Sequence, residues 1–77
     1  MSKYGFVIRA YNAEEYIKRT IESVMRQRFR DWTAVVVDDG SVDNTVGVVH
    51  DMMRLDDRIG LLQQKRGGVR LSHFKWG

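Results

Sequence analysis

Asp38 and Asp39 stand side by side at the end of the run Val35-Val36-Val37, immediately before Gly40-Ser41. Adjacent carboxylates after a buried apolar stretch are costly unless a cation, a ligand's donors or backbone N–H groups satisfy them. Two kinds of chemistry meet that need. The pair can close a turn through Asx-type hydrogen bonds and cap the following helix, or it can accept hydrogen bonds from the base or ribose of a nucleotide. Tyr11 is the second candidate. Its ring can stack on a base, or lie as an apolar lid on the edge of a sheet. An aromatic ring beside an acidic pair is more specific than either part alone.

Other templates fail. The chain has neither Gly-x-Gly-x-x-Gly nor Gly-x-x-x-x-Gly-Lys-Ser/Thr, so it carries no dinucleotide fingerprint and no P-loop. Asp39-x-Ser41-x-Asp43 has part of a calcium-loop spacing, but His50 stands where the closing bidentate Glu belongs and the glycine is misplaced. His50 and His73 have no nucleophile or ligand at a matching spacing. With no cysteine in 77 residues, disulfides and thiolate metal sites are excluded.

The elements that must position these residues alternate. Residues 4–8 are short, apolar and rich in β-formers, which predicts a first strand. Asn12, with Glu15 three residues on, reads as a capping box opening a helix over 13–27. Ile17, Ile21, Val24 and Met25 mark its apolar face, and Lys18, Arg19, Glu22 and Arg26 its wet face. Residues 33–37 form a nearly continuous β-branched run, the mark of a strand buried on both faces of a parallel sheet. Asp43 is a good N-cap for a second helix, whose stripe is Val42, Val46, Val49 and Met53. Gly47 weakens that helix by about 1 kcal/mol relative to Ala and marks close packing. Residues 59–63 predict a third strand. This order implies right-handed crossovers and an α/β, Rossmann-like βαβαβ three-layer unit with parallel strands. In such sheets ligands bind beyond the carboxyl ends of the strands. The segments Arg9-Ala10-Tyr11-Asn12 and Asp38-Asp39-Gly40-Ser41 fall there.

The net charge of +3 is unevenly spread: residues 1–30 carry +4, residues 31–57 carry −6 and residues 58–77 carry +5. The acidic middle holds the candidate site. The basic end, with Lys65, Arg66, Arg70 and Lys75, suits phosphate, nucleic acid or an acidic surface. The longest apolar run, residues 34–37, is far below the ~20 residues a membrane span needs. The first residues lack the apolar stretch of a signal peptide. The expectation is a soluble, cytoplasmic chain with no transmembrane segment.

Val7-Ile8-Arg9-Ala10-Tyr11-Asn12-Ala13-Glu14-Glu15-Tyr16-Ile17 resembles the opening strand, "AYN" turn and first helix of family 2 glycosyltransferases. Ile21-Glu22-Ser23-Val24-Met25-Arg26-Gln27 is similar to their "IxSVLxQ" helix end, and Val36-Val37-Asp38-Asp39-Gly40-Ser41-Val42-Asp43-Asn44-Thr45 to their "VVDDGSTDNT" signature. Asp57-Arg58-Ile59 and Gly67-Gly68-Val69 continue the match in order, so that it covers about residues 5–69. The resemblance implies a partial GT-A fold over 1–69, with 70–77 an unmatched basic tail. By residue, it implies that Tyr11 stacks on the base, Asp39 bonds the base edge, Asp38 supports the pocket and Ala10 lines it through its backbone. Asn12, Glu15, Gly40, Ser41 and Asp43 would be caps and a tight turn.

Departures limit what is implied. Arg9 replaces the usual Pro of "PAYN", Arg66 stands where an Asn precedes the Gly pair, and the family's "ARN" would fall on Ser72-His73-Phe74. The family's Asp-x-Asp, which holds Mg²⁺ or Mn²⁺ on the diphosphate of a nucleotide sugar, has no counterpart here, nor does its catalytic base. The expectation is therefore a fragment carrying the nucleotide base-binding half-site, with no metal site and no catalytic residue of its own. It would bind a nucleotide sugar or nucleoside diphosphate weakly and would not be catalytic alone. A non-catalytic module that homo-oligomerises is the alternative, because a short sheet exposes an edge. Binding of nucleic acid or another anion through the basic end is weaker, since only Phe74 and Trp76 offer stacking faces there. A receiver domain would place its acidic pair after the first strand.

Overall fold

The computed structural model describes residues 4–28, 30–65 and 72–76. Six elements follow in order: β1 (Tyr4–Ala10), α1 (Ile17–Met25), β2 (Trp32–Asp38), α2 (Thr45–Leu55), β3 (Ile59–Gln64) and β4 (Ser72–Trp76). They build one sheet in the order β1-β2-β3-β4. β1, β2 and β3 are parallel, as the alternation of strands and helices requires, and β4 is antiparallel to β3. The α/β class and the Rossmann-like βαβαβ order are those expected from the sequence. The expected boundary between 69 and 70 lies outside the described residues, as do Arg66, Gly67, Gly68, Val69 and Arg70. β4 is an element that periodicity did not reveal, because five residues of mixed type after a Gly pair carry no alternation.

Two right-handed crossovers that step the same way across a sheet put both helices on one face. One core cluster results. Ile17, Ile21 and Val24 of α1 and Val49, Met52 and Met53 of α2 meet Trp32, Ala34 and Val36 of β2 and Ile59 and Leu61 of β3. The predicted face of α1 is thus in place, with Met25 partly buried at its rim. Among the described residues the helices supply one of the two covering layers. The other sheet face stays open: Val7 is 72% exposed, and Thr33, Val35 and Val37 are half-buried. β2 is therefore fully buried on one face only, where the sequence pointed to both.

Three local expectations are corrected. α1 starts at Ile17 rather than at residue 13, with Tyr16 in the cap position and no side-chain cap bond. Asn12 takes a left-handed backbone, φ 49°, which no N-cap uses. Val42 is 86% exposed and Met52 is buried, so the fully buried residues of α2 are Thr45, Val49, Met52 and Met53, with Val46 of the expected stripe partly buried against the core. Gly47 has a close neighbour within its own helix turn: an added Cβ would clash with the side chain of Asn44.

At the amino ends of the strands one cation ties three segments together. Arg58 Nε and Nη2 donate to the two oxygens of Asp56 at 3.0 and 2.7 Å, and Nη1 donates to the carbonyl of Arg30 at 2.7 Å. The guanidinium also lies 3.9 Å from the centre of the buried Trp32 ring, a cation–π contact. The Arg58 hydrogen bonds hold the Asp56 carboxyl below its ordinary value of 3.8. Because the folded form binds the proton less tightly, this stabilisation is present above that value and disappears as pH falls through the lower folded one. Thermal melting followed as pH is lowered should show a steep loss of stability in this acid range, and Asp56→Asn should flatten that slope while lowering the melting temperature at neutral pH. An unchanged acid slope in Asp56→Asn would assign the acid sensitivity to other carboxylates.

Candidate functional site

Ala10 and Asp38 are register partners and end β1 and β2 at the carboxyl edge of the sheet. Ala10 is buried and belongs to the strand itself, not to the following loop as the sequence suggested. Asp39 N donates to the Ala10 carbonyl at 2.9 Å, which carries the ladder one residue past the end of β2. Beyond it the chain turns at Gly40, whose φ of 81° is a conformation that side chains resist. On the other flank Gln63 of β3 is the register partner of Asp38, and the backbone of His73 stands opposite Gln63 in β4. Sequence spacing gave no sign of that row.

The two carboxylates have different fates. Asp38 is 2% exposed. Its Oδ2 accepts from Ser41 N at 3.1 Å and its Oδ1 from the Ser41 hydroxyl. Both oxygens are thus committed to the turn, the expensive burial of a charge being offset by donors three residues ahead. Asp39 is half-buried, and its carboxylate has no hydrogen-bond partner among the described residues. Tyr11 is 37% exposed in the neighbouring turn. Of the four predicted site residues, the fold brings all to one edge, with Ala10 and Asp38 forming its frame and Tyr11 and Asp39 reaching toward solvent.

The turn after β1 and the turn after β2 are joined reciprocally. The consecutive N–H groups of Asn12, Ala13 and Glu14 donate to Ser41 Oγ at 2.9 Å, Thr45 Oγ1 at 2.7 Å and Asp43 Oδ2 at 3.2 Å. In return Val42 N donates to Asn12 Oδ1 at 2.9 Å, and Asn44 N to Glu14 Oε1 at 3.0 Å. Each turn satisfies the other's backbone donors ahead of its own helix. The partner glutamate is Glu14, not Glu15. Asn44, not Asp43, takes the cap position of α2; Asp43, one residue earlier, still reaches the helix, its Oδ1 accepting Thr45 N at 2.9 Å and the Thr45 hydroxyl. The Thr45 hydroxyl and the backbone donors hold the Asp43 carboxyl below its ordinary value. Thr45 itself, wholly buried, escaped notice in the sequence. Its only signal was the Ser41-x-Asp43-x-Thr45 alternation of polar side chains.

The metal that the resemblance implies finds no set of ligands here. Among the described residues no three His, Asp or Glu side chains converge, and both oxygens of Asp38 are already occupied.

The model of glycosyl transferase family 2 matches residues 6–72. Among curated proteins the chain is similar to an uncharacterized glycosyltransferase of Haemophilus influenzae, with 36% identity over 59 residues, 77% of this chain and 18% of that protein. It is also similar to a putative teichuronic acid biosynthesis glycosyltransferase of Bacillus subtilis, with 38% identity over 67 residues, 86% of this chain and 27% of that protein. A chondroitin synthase of Pasteurella multocida shares 32% over 62 residues, 80% of this chain and 6% of that protein. The chain thus spans roughly a quarter or less of the length of these relatives.

The joined turns yield a test. Asn12→Ala removes the acceptor for Val42 N and puts a Cβ without local hydrogen bonding into the left-handed region. The expected loss is about 1–3 kcal/mol in urea denaturation. Asn12→Gly, which relieves the backbone but not the acceptor, should recover part of it. Equal losses in the two variants would mean that the hydrogen bond, not the backbone conformation, is what Asn12 contributes.

Proposed function

The chain belongs to glycosyl transferase family 2, and from that premise we propose that it carries the nucleotide base-binding half-site of a nucleotide-sugar-dependent glycosyltransferase. The observation behind this proposal is the division between the two carboxylates: Asp38 is consumed by its turn, whereas Asp39 is half-buried and has no hydrogen-bond partner among the described residues, at the same end of the sheet as Tyr11. A base stacked on Tyr11 gains about 1–3 kcal/mol. An N–H of its edge donating to Asp39 adds a charge-assisted bond. Ala10 contributes backbone at the floor of the same edge. Asp38 acts by holding the turn from which Asp39 emerges.

Expelling a nucleoside diphosphate needs more: positive charge on the phosphates and a base to activate the acceptor. The described residues offer base recognition only. We therefore assign this chain the role of a fragment that recognises the donor nucleotide in the cytoplasm and does not transfer sugar unaided. The expected affinity for uridine diphosphate is near millimolar, about −4 kcal/mol, and nearly independent of Mn²⁺. Calorimetric titration of uridine diphosphate with and without Mn²⁺ is the test. Asp39→Asn and Tyr11→Ala should each weaken binding about fivefold or more with little change in melting temperature. A loss of stability with unchanged affinity would return Asp39 to a purely structural role. Sugar turnover above that of a Tyr11→Ala, Asp39→Ala control would overturn the claim that the chain is inactive alone.

One observation favours a second role, self-association. Parallel sheets are almost always covered on both faces, yet Val7 is 72% exposed on the open face. β1 and β4 also leave the sheet two outer edges. Light scattering at high micromolar concentration should find a dimer or larger species. A monomer under those conditions, with the circular dichroism of a folded chain, would remove this reading.

A further inference from the structure

The end of the sheet opposite Tyr11 and Asp39 carries a cleft of about 500 Å³, lined among the described residues by Met25, Gln27, Arg28, Arg30, Trp32 and Arg58. That volume is within the range of small-molecule sites. Three of its six lining residues are arginines, but they are not equivalent. Arg58 is spent: Asp56 takes two of its donors, the Arg30 carbonyl takes a third, and Asp57 lies close enough to favour its charged form. Its guanidinium lies against the Trp32 ring as a neutralised wall. Arg28 and Arg30 are exposed and form no ion pair among the described residues. The acid nearest them along the chain, Asp31, is itself exposed.

These two arginines do not hang from a loose segment. Gln27 N donates to Val24 O at 3.1 Å, the Arg30 carbonyl is held by Arg58, and Tyr4 N donates to Asp31 O at 3.1 Å. The backbone of the rim is pinned on both sides, which lowers the ordering cost of binding. Two guanidinium forks meeting at one small cleft suit an anion with more than two acceptor oxygens; a single carboxylate fills only one fork. We propose that the cleft is a binding site for a phosphate group, held between Arg28 and Arg30 beside the Trp32–Arg58 stack. The oxyanion can belong to a soluble phosphate or diphosphate or to a phospholipid headgroup. β2, seven residues long, separates this cleft from the Asp38–Asp39 edge by about 20 Å. The two sites are therefore separate, and this one does not depend on the nucleotide proposal.

Diphosphate titrated into the chain by calorimetry tests it. Binding should weaken about tenfold or more, at least about 1.4 kcal/mol, in Arg28→Gln/Arg30→Gln, with an unchanged melting temperature. It should persist in Tyr11→Ala/Asp39→Asn, which separates the cleft from the nucleotide edge. Co-sedimentation with phosphatidylglycerol vesicles, absent with phosphatidylcholine vesicles and lost in the arginine variant, would identify the headgroup as the source of the phosphate. Diphosphate binding without co-sedimentation would identify a soluble anion. The proposal is overturned if neither probe binds, if the arginine variant binds both as well as the parent chain does, or if diphosphate binding disappears with Tyr11 and Asp39.

Discussion

The structure depends on an exchange of hydrogen bonds between two turns that are some thirty residues apart in sequence. Asn12, Ala13 and Glu14 give three successive N–H groups to the side chains of Ser41, Thr45 and Asp43, and receive Val42 N and Asn44 N on the side chains of Asn12 and Glu14. A turn that approaches the first turn of a helix would otherwise leave these donors to water or leave them bare. Bonds of this kind each contribute only about 0.5–1.5 kcal/mol, and of the five only Ala13 N to Thr45 Oγ1 is buried, where leaving the donor unmade costs more. The exchange fixes where Tyr11 and Asp39 emerge relative to one another. The proposed base recognition needs that separation constant.

The polar residues of this edge divide into those that build and those that remain available. Ser41, Asp43 and Thr45 are turned inward on other protein atoms, Asp38 is closed by Ser41, and Asp39 alone of the acidic pair keeps its oxygens unengaged among the described residues. At the far end of β2 the same economy recurs in the opposite charge: Arg58 is bound up with Asp56 and the Arg30 carbonyl, while Arg28 and Arg30 keep theirs. Of the acidic middle stretch, Asp38, Asp39 and Asp43 gather at the carboxyl edge, while Asp31 and Asp56 lie at the amino end beside the arginines.

Much of this was legible in the residues. The β-branched run at 33–37 and the 3–4 spacing of Ile17, Ile21 and Val24 specify local elements whose burial depends on nothing distant, and the parallel order follows from their alternation. That residues 9–12 and 38–41 meet at one end of the sheet was legible because both segments follow the carboxyl ends of parallel strands. What the sequence could not reveal is tertiary. Asn12 looks like a helix cap by local rule, yet its side chain is taken by Val42 across the edge, and α1 begins four residues later than the cap rule suggests. Glu15 was favoured over Glu14 because the capping box is counted along one helix, whereas the true partner, Asn44, lies on the other. Val42 fits the 4-3-4 stripe but lies in the turn that precedes the helix. β4 has no period of its own, and its place is set by pairing with β3.

The neighbouring positions of Asp38 and Asp39 have a consequence for how the site could be lost or moved. Successive residues of an extended chain point to opposite faces, so the pairing of β2 with β1 and β3 decides which carboxylate is closed into the turn and which keeps its oxygens unengaged among the described residues. A shift by one position, through a single inserted or deleted residue between Trp32 and Val37, would move one carboxylate into the other's place and hand the vacated place to Val37 or Gly40. It would also drive Val35 and Val37 toward the helices and turn Ala34 and Val36 outward, which the packed core of Ile21, Val49 and Leu61 resists. Parity of the strand, enforced by its apolar side chains, is thus what gives two chemically identical residues different work.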